Sequence, residues 1–312
     1  MTPQFVDFNA DGFVDIVTGT FDGSPHVSFG SADGFGEPTH ILDRDGERML
    51  LTQFWDYDEK QWKGLEGPQC ISAVAFDWDN DGDYDLLLGD YKEGLLFLRM
   101  NTGSNEEPQF DIENVQVMID DEPFKVAGGM SAPRLVDWDG DGLVDIVTGG
   151  MQQGGVFFYR NSGKLGAPEF SPAETLIEPS ASTTAGAKCP TSGCYVDAVD
   201  YAGDGDLDVL VGGYANWAPD RKPLTEEEEA RATELEAQQA EYMAMIQEAS
   251  LVLNKQLAKA ETEEARQEIL KRFTNDREYK NATTQYSAVS RELMTLRGTP
   301  QRQAGVWLYV RK

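Results

Sequence analysis

One nine-residue pattern, Asp-x-Asp-x-Asp-Gly-x-x-Asp, occurs four times and limits what this chain can fold into more than any other feature. It runs Asp7-Phe8-Asn9-Ala10-Asp11-Gly12-Phe13-Val14-Asp15, and recurs at 77–85, 137–145 and 200–208, with Ala202 at the third position of the last copy. Successive copies start 70, 60 and 63 residues apart, a regular spacing that marks a repeat architecture. Each is followed by a short apolar run ending in glycine: Ile16 to Gly19, Leu86 to Gly89, Ile146 to Gly149 and Val209 to Gly212. These runs have the length and composition of buried strands. Two repeats share a further strand and turn, Gly94 to Gly103 and Gly154 to Gly163, and Pro38, Pro108 and Pro168 each lie 31 residues after the first Asp of their loop. A strand pair is also expected from Ile41-Leu42 through a turn at Asp45-Gly46 to Met49-Leu50-Leu51, echoed by 117–119 and 124–126.

Each unit thus supplies about four short strands joined by tight turns, the size of a propeller blade. A single blade cannot bury both faces of its sheet, so neighbours must stack. The expected fold is mainly β, a β-propeller of about four blades carried by residues 1–216 and completed by a last strand at 304–312. The fourth repeat breaks off after Tyr214 and resumes at Gly305-Val306-Trp307-Leu308-Tyr309, which matches 155–159. The interposed residues 217–303 have helical composition. Thr225 with Glu226, Glu227 and Glu228 forms a capping box. Leu235, Tyr242, Ile246, Ala249 and Leu253 make one heptad-like stripe, and Ile269, Phe273, Tyr286, Val289, Leu293 and Leu296 a second. With a turn at 260–262, the expectation is an antiparallel helical hairpin of coiled-coil type. Two roles stay open for it: contact with a partner or a second copy of the chain, or packing on its own propeller.

The loops have the chemistry of a calcium site. Calcium takes six to eight oxygens, from carboxylates and backbone carbonyls. Positions 1, 3 and 5 would supply side chains: Asp7, Asn9 and Asp11; Asp77, Asp79 and Asp81; Asp137, Asp139 and Asp141; and Asp200 with Asp204. Position 7 would offer its carbonyl, from Phe13, Asp83, Leu143 and Asp206, and position 9, Asp15, Asp85, Asp145 and Asp208, would close the shell. Glycine at position 6 permits the sharp bend. Without a cation, carboxylates packed this closely would repel one another. A helix-loop-helix calcium hand needs Glu at position 12, where Thr18, Leu88, Thr148 and Val211 stand, and that reading fails. Three strong Ca2+ sites are expected, with a weaker fourth where Ala202 removes an oxygen.

Asp and Glu outnumber Lys and Arg by 55 to 26, leaving a formal charge of −29. Such a surface repels nucleic acid and anionic lipid, and no apolar run is long enough to enter a bilayer. The chain opens at Met1 directly into a strand-like segment with no signal peptide, which suits a mature secreted protein and a cytoplasmic one alike. Cys189 and Cys194 flank a turn-forming spacer, and both a local disulfide and two free thiols stay open for them. Zinc at that pair is not expected, because His26 and His40, the only histidines, lie far from it in the sequence.

The loop followed by an apolar strand ending in glycine resembles the FG-GAP or VCBS repeat family, over about 1–215 and 304–312. Blades of that family form the propellers of integrin α subunits and of many secreted bacterial proteins. The resemblance implies a calcium-stabilised propeller that is secreted, periplasmic or on the cell surface, and serves adhesion or recognition. Integrin propellers have seven blades against four here, so the four either close a small propeller or belong to a larger assembly. The leading functional expectation is a module that binds a protein or polysaccharide. A polysaccharide-active enzyme is the alternative, although no nucleophile–base constellation stands out. A lectin would use aromatics such as Trp55, Trp62 and Trp217, residues equally suited to packing between blades.

Overall fold

In every repeat the apolar run after the Asp-rich loop becomes the second strand of an antiparallel sheet. The computed structural model describes residues 3–152, 154–180, 188–217, 223–257, 260, 262–299 and 301–311. The first sheet is β1 (Gln4–Val6), β2 (Asp15–Gly19), β3 (Pro25–Ser28) and β4 (Thr39–His40), in that order. A two-stranded hairpin, β5 (Gln53–Asp56) and β6 (Gln61–Gly64), comes next. The second sheet joins β7 (Cys70–Phe76), β8 (Asp85–Asp90), β9 (Leu96–Arg99) and β10 (Val115–Gln116), and is followed by the small pair β11 (Met118–Ile119) and β12 (Glu122–Pro123). The third holds β13 (Arg134–Val136), β14 (Asp145–Gly149), β15 (Val156–Tyr159) and β16 (Glu174–Ile177). The fourth is β17 (Ser192–Val199), β18 (Asp208–Trp217) and β19 (Gln301–Tyr309). The strand resuming after the helical interruption therefore takes the third place in its sheet, as the match to 155–159 requires.

All four sheets share one register. The residue two places before each loop's second position pairs with the loop's ninth: Val6 with Asp15, Phe76 with Asp85, Val136 with Asp145 and Val199 with Asp208. Side chains alternate across a strand, so each sheet presents two apolar faces. Leu86 and Leu88 pack with Val17 and Val27 of the first sheet, while Leu87 turns the other way, toward Ile146, Phe157 and Tyr159 of the third. Val147, Val156 and Phe158 then face Val196, Val209 and Val211 of the fourth. This is why Leu86-Leu87-Leu88 is apolar at every position.

The glycine closing each apolar run marks where one sheet lies against the next. A Cβ on Gly19 would sit 2.4 Å from Ser72 N, on Gly89 2.0 Å from Ser131 O, and on Gly149 2.2 Å from Cys194 O. Real Cβ atoms do not approach backbone this closely, so only glycine allows the contact. On Gly212, in the fourth sheet, a Cβ would meet nothing nearer than Tyr195 O at 3.8 Å among the described residues. The first strands are also tied together. Gln4 Nε2 donates to Ala75 O (3.0 Å) and Gln4 Oε1 accepts from Ala75 N (2.7 Å), while Arg134 donates to Pro3 O (3.1 Å) and Val196 O (3.3 Å).

One sequence expectation changes, its echo holds in part, and one left open is settled. Residues 41–51 form only an isolated bridge, Leu42 to Arg48, and not a strand pair. Ile41, Met49 and Leu51 are instead buried between the first two sheets, and the backbone bonds outward, Ile41 N to Pro25 O and Arg44 N to Phe110 O. The echo at 117–126 pairs Met118 with Pro123, leaving Val117, Phe124 and Val126 as core residues. The cysteines are free thiols, and burial pushes Cys194 up to about 11.

A second compact unit spans residues 217–301, and its described residues between the flanking strands are mainly helical. It comprises α1 (Glu226–Leu257), α2 (Glu263–Asn275) and α3 (Arg277–Arg297), three helices where the sequence suggested two. Asp276 makes the break: it leaves helical geometry (ψ 129°), and its carboxylate caps α3 by accepting from Tyr279 N at 2.7 Å. The capping box at Thr225 forms, with Glu228 N donating to Thr225 Oγ1 (3.2 Å) and Thr225 N to Glu228 Oε2 (2.8 Å). Along the α1–α3 seam, Leu235 and Val289 are buried, and Arg231–Glu292 (2.7 Å) and Arg297–Glu229 (2.7 Å) pair at its edge.

Candidate metal centre

Each Asp-rich loop joins the first two strands of its sheet, and the four wind alike. The first Asp accepts the N–H of the position-6 glycine: Gly12 to Asp7 (3.0 Å), Gly82 to Asp77 (3.1 Å), Gly142 to Asp137 (3.0 Å) and Gly205 to Asp200 (3.1 Å). The Asp at position 5 accepts from position 7: Phe13 (2.9 Å), Asp83 (3.1 Å), Leu143 (2.9 Å) and Asp206 (3.2 Å). These glycines have φ of 88° to 101°, and a Cβ there would meet open space, so they are needed for conformation and not for room. Position 4 is left-handed as well, at Ala10, Asn80, Gly140 and Gly203 (φ 56° to 76°).

The residues fit a hard cation on the donor chemistry they gather. In the second loop, oxygens of Asp77, Asp79 and Asp81 lie within 4.8 Å of one another, and in the third so do oxygens of Asp137, Asp139 and Asp145. Asp7 Oδ1 and Asp83 Oδ1 are enclosed with no hydrogen-bond partner. Burial first, then the charges of Asp81, Asp79 and Asp77, push the Asp83 carboxyl up to about 6. Sequence placed only a carbonyl at that position, whereas the Asp83 side chain is itself buried beside the other three. Asp141 shares its loop's winding through Leu143, and in the first loop Asn9 Oδ1 accepts from Asp11 N at 3.2 Å. Arg160 ion-pairs with Asp139, a partner no loop pattern announces.

Position 9 does a second task. One oxygen of each accepts the N–H of position 2: Phe8 to Asp15, Trp78 to Asp85, Trp138 to Asp145 and Tyr201 to Asp208, at 2.8–3.0 Å. The other accepts an N–H from beyond the third strand: Gly30, Asn101, Asn161 and Arg311, at 2.7–2.9 Å. These carboxylates are 0–1 % exposed and staple loop, second strand and third strand together. Burial raises both Asp85, up to about 6, and Asp145. The fourth loop keeps this staple and its winding, and Ala202 N also donates to Asp208 (2.9 Å), but Ala202 brings no oxygen.

Outside the loops, the two histidines meet on one sheet edge. His26 on β3 pairs in register with His40 on β4, their rings 4.2 Å apart, beside buried Asp22. The sequence signal was slight, two histidines separated by a loop of unreadable register. Of the proposed lectin aromatics, Trp55 and Trp62 pack edge to face across β5–β6 (5.7 Å), and Trp217 ends β18.

No curated protein matches the chain. A model of the FG-GAP-like repeat matches residues 137–211, from the first Asp of the third loop into the strand after the fourth. Over that stretch the chain is similar to the FG-GAP-like repeat family.

Proposed function

We propose that this protein is a calcium-stabilised interaction module whose four sheets are blades of a β-propeller, working outside the cytosol on a protein or polysaccharide partner. The observation that carries the reading is the repeated loop, which winds alike at the same place in every sheet and gathers three carboxylates in the second and third. Asp7, Asn9, Asp11 and the Phe13 carbonyl would hold one ion. Asp77, Asp79, Asp81 and Asp83 would hold a second, and Asp137, Asp139, Asp141 and the Leu143 carbonyl a third. Asp200, Asp204 and Asp206 would hold a weaker fourth. Bound Ca2+ supplies charge compensation that ties the loop to its strands; the position-9 staples, Asp15, Asp85, Asp145 and Asp208, hold those strands whether or not an ion is present. The blade reading rests on the glycine contacts, which repeat from sheet to sheet. An extracellular setting agrees with millimolar calcium there, which even modest oxygen sites can use. Among the described residues no helix is long and apolar enough to cross a membrane. Calorimetric titration of chelator-treated protein with Ca2+ tests the reading. Three well-occupied sites with a weaker fourth are expected, and one site or none contradicts it.

A further inference from the structure

Asp22, in the turn between β2 and β3, meets His26 of β3 and His40 of β4, and one ligand atom from each falls within 4.8 Å of the others. Their protonation can be assigned from their partners. His26 Nδ1 is 3.3 Å from the carbonyl of Ser24, which can only accept, so in the neutral ring Nδ1 carries the hydrogen and Nε2 keeps its lone pair. That lone pair faces Asp22 Oδ2 at 3.7 Å. Two acceptors opposed in a buried place need a proton or a cation between them. His40 Nε2 is 3.4 Å from the same oxygen, enclosed, and makes no hydrogen bond of good geometry. The Asp22 side chain is 1 % exposed, and Oδ1 is fixed by donors from Ser24 N (3.0 Å), Ser24 Oγ (2.8 Å) and Thr20 Oγ1, which leaves Oδ2 as the oxygen turned to the histidines.

We infer that these three side chains form a binding site for a transition-metal dication of the zinc type, distinct from the calcium loops. Two ligands each at about 2.0–2.1 Å from a tetrahedral zinc stand about 3.3 Å apart, close to the 3.4 and 3.7 Å separations found. Imidazole nitrogen selects zinc over calcium, which prefers oxygen alone. The Ser24 carbonyl on His26 Nδ1 is the outer hydrogen bond that orients a metal-binding histidine. The His40 side chain, 32 % exposed, leaves a route in and a fourth position for water. Arg48 opposes the ion: its Nη2 lies 3.2 Å from Asp22 Oδ2 and 3.1 Å from Ser24 Oγ. It supplies a counter-charge to the carboxylate and, being a donor only, competes with a metal for the acceptors of this cluster. Arg48→Gln should therefore strengthen zinc binding, an effect a purely structural cluster would not show.

The test is equilibrium dialysis against Zn2+ with excess Ca2+ present, read by elemental analysis. The chain should retain one zinc, bound at least about tenfold more weakly in His26→Gln and in His40→Gln. Zinc-edge X-ray absorption on the unaltered chain should show two imidazole nitrogens at about 2.0 Å, a readout that stands even if a variant fails to fold. An unaltered chain retaining no more zinc than the doubly substituted one overturns the assignment. So does a zinc shell made of oxygen alone.

Discussion

At the scale of single residues, the loops divide their aspartates between two tasks that one motif cannot separate. Positions 1, 3 and 5 converge in the second loop, whereas position 9 is buried and spent on two N–H groups in every loop, and in the third it also lies beside positions 1 and 3. Asp145→Ala leaves the Trp138 and Asn161 N–H groups buried without an acceptor and should cost about 2–4 kcal/mol, with or without calcium. Asp81→Ala should matter chiefly when calcium is present, and more than Asn9→Ala, because it removes a charged ligand. Chemical denaturation of the three variants, in calcium and in chelator, checks the division; calcium-dependence for Asp145→Ala equal to that of Asp81→Ala would refute it. The ion-free protein has a pH dependence of definite sign. Asp83 and Asp85 titrate near 6 when folded, above the ordinary value of 3.8. The folded state then holds protons that the unfolded chain releases, so these two groups make stability fall as pH rises from about 4 to 6. Asp83→Asn should flatten that slope in chelator, and an unchanged slope would show that Asp83 does not titrate there. Positions 1, 3, 5 and 6 were legible in the sequence because ligand type and glycine are local signals. The staple was not, since its second partner lies 15 or 16 residues on in three repeats and 103 in the fourth.

At the scale of elements, the apolar runs were legible because a strand covered on both faces is apolar at every position, as Leu86-Leu87-Leu88 is. The segment 41–51 misled for a related reason. Its apolar residues serve a core formed by neighbouring sheets, and its backbone bonds go to Pro25 and Phe110 instead of to a partner strand of its own. The β5–β6 hairpin passed unread because its residues are only half-buried and carry no two-faced pattern. Sheet-to-sheet contact can be tested at the repeated glycine. A Cβ on Gly149 would stand 2.2 Å from Cys194 O, whereas on Gly212 it would clear its nearest described neighbour by 3.8 Å. Gly149→Ala should destabilise by about 1–3 kcal/mol or more through overpacking, and Gly212→Ala should be nearly neutral. Equal effects in thermal melts would mean that the closing glycines do not set the spacing between sheets.

At the scale of the whole molecule, the helical residues interrupt one sheet of a repeat array between its second and third strands. Because β18 and β19 still lie side by side, a short Gly/Ser linker in place of 218–300 should leave the β unit folded. Loss of its cooperative melt would show that the helices are part of its folding unit. Helical composition was legible here, but the break at Asp276 was not, since a single aspartate inside a periodic stretch looks like solvent-facing charge until its carboxylate is seen on Tyr279 N. The central claim, that an acidic chain of formal charge −29 is held together by cations in its loops, concerns the whole array. Binding to the native state alone adds about 1.4 kcal/mol per site at a tenfold excess over Kd, so three sites give about 4 kcal/mol. Thermal melting in Ca2+ and in excess chelator measures this most directly. A melting temperature that climbs by several degrees with Ca2+ is the result predicted, and one unmoved by chelator would contradict the account.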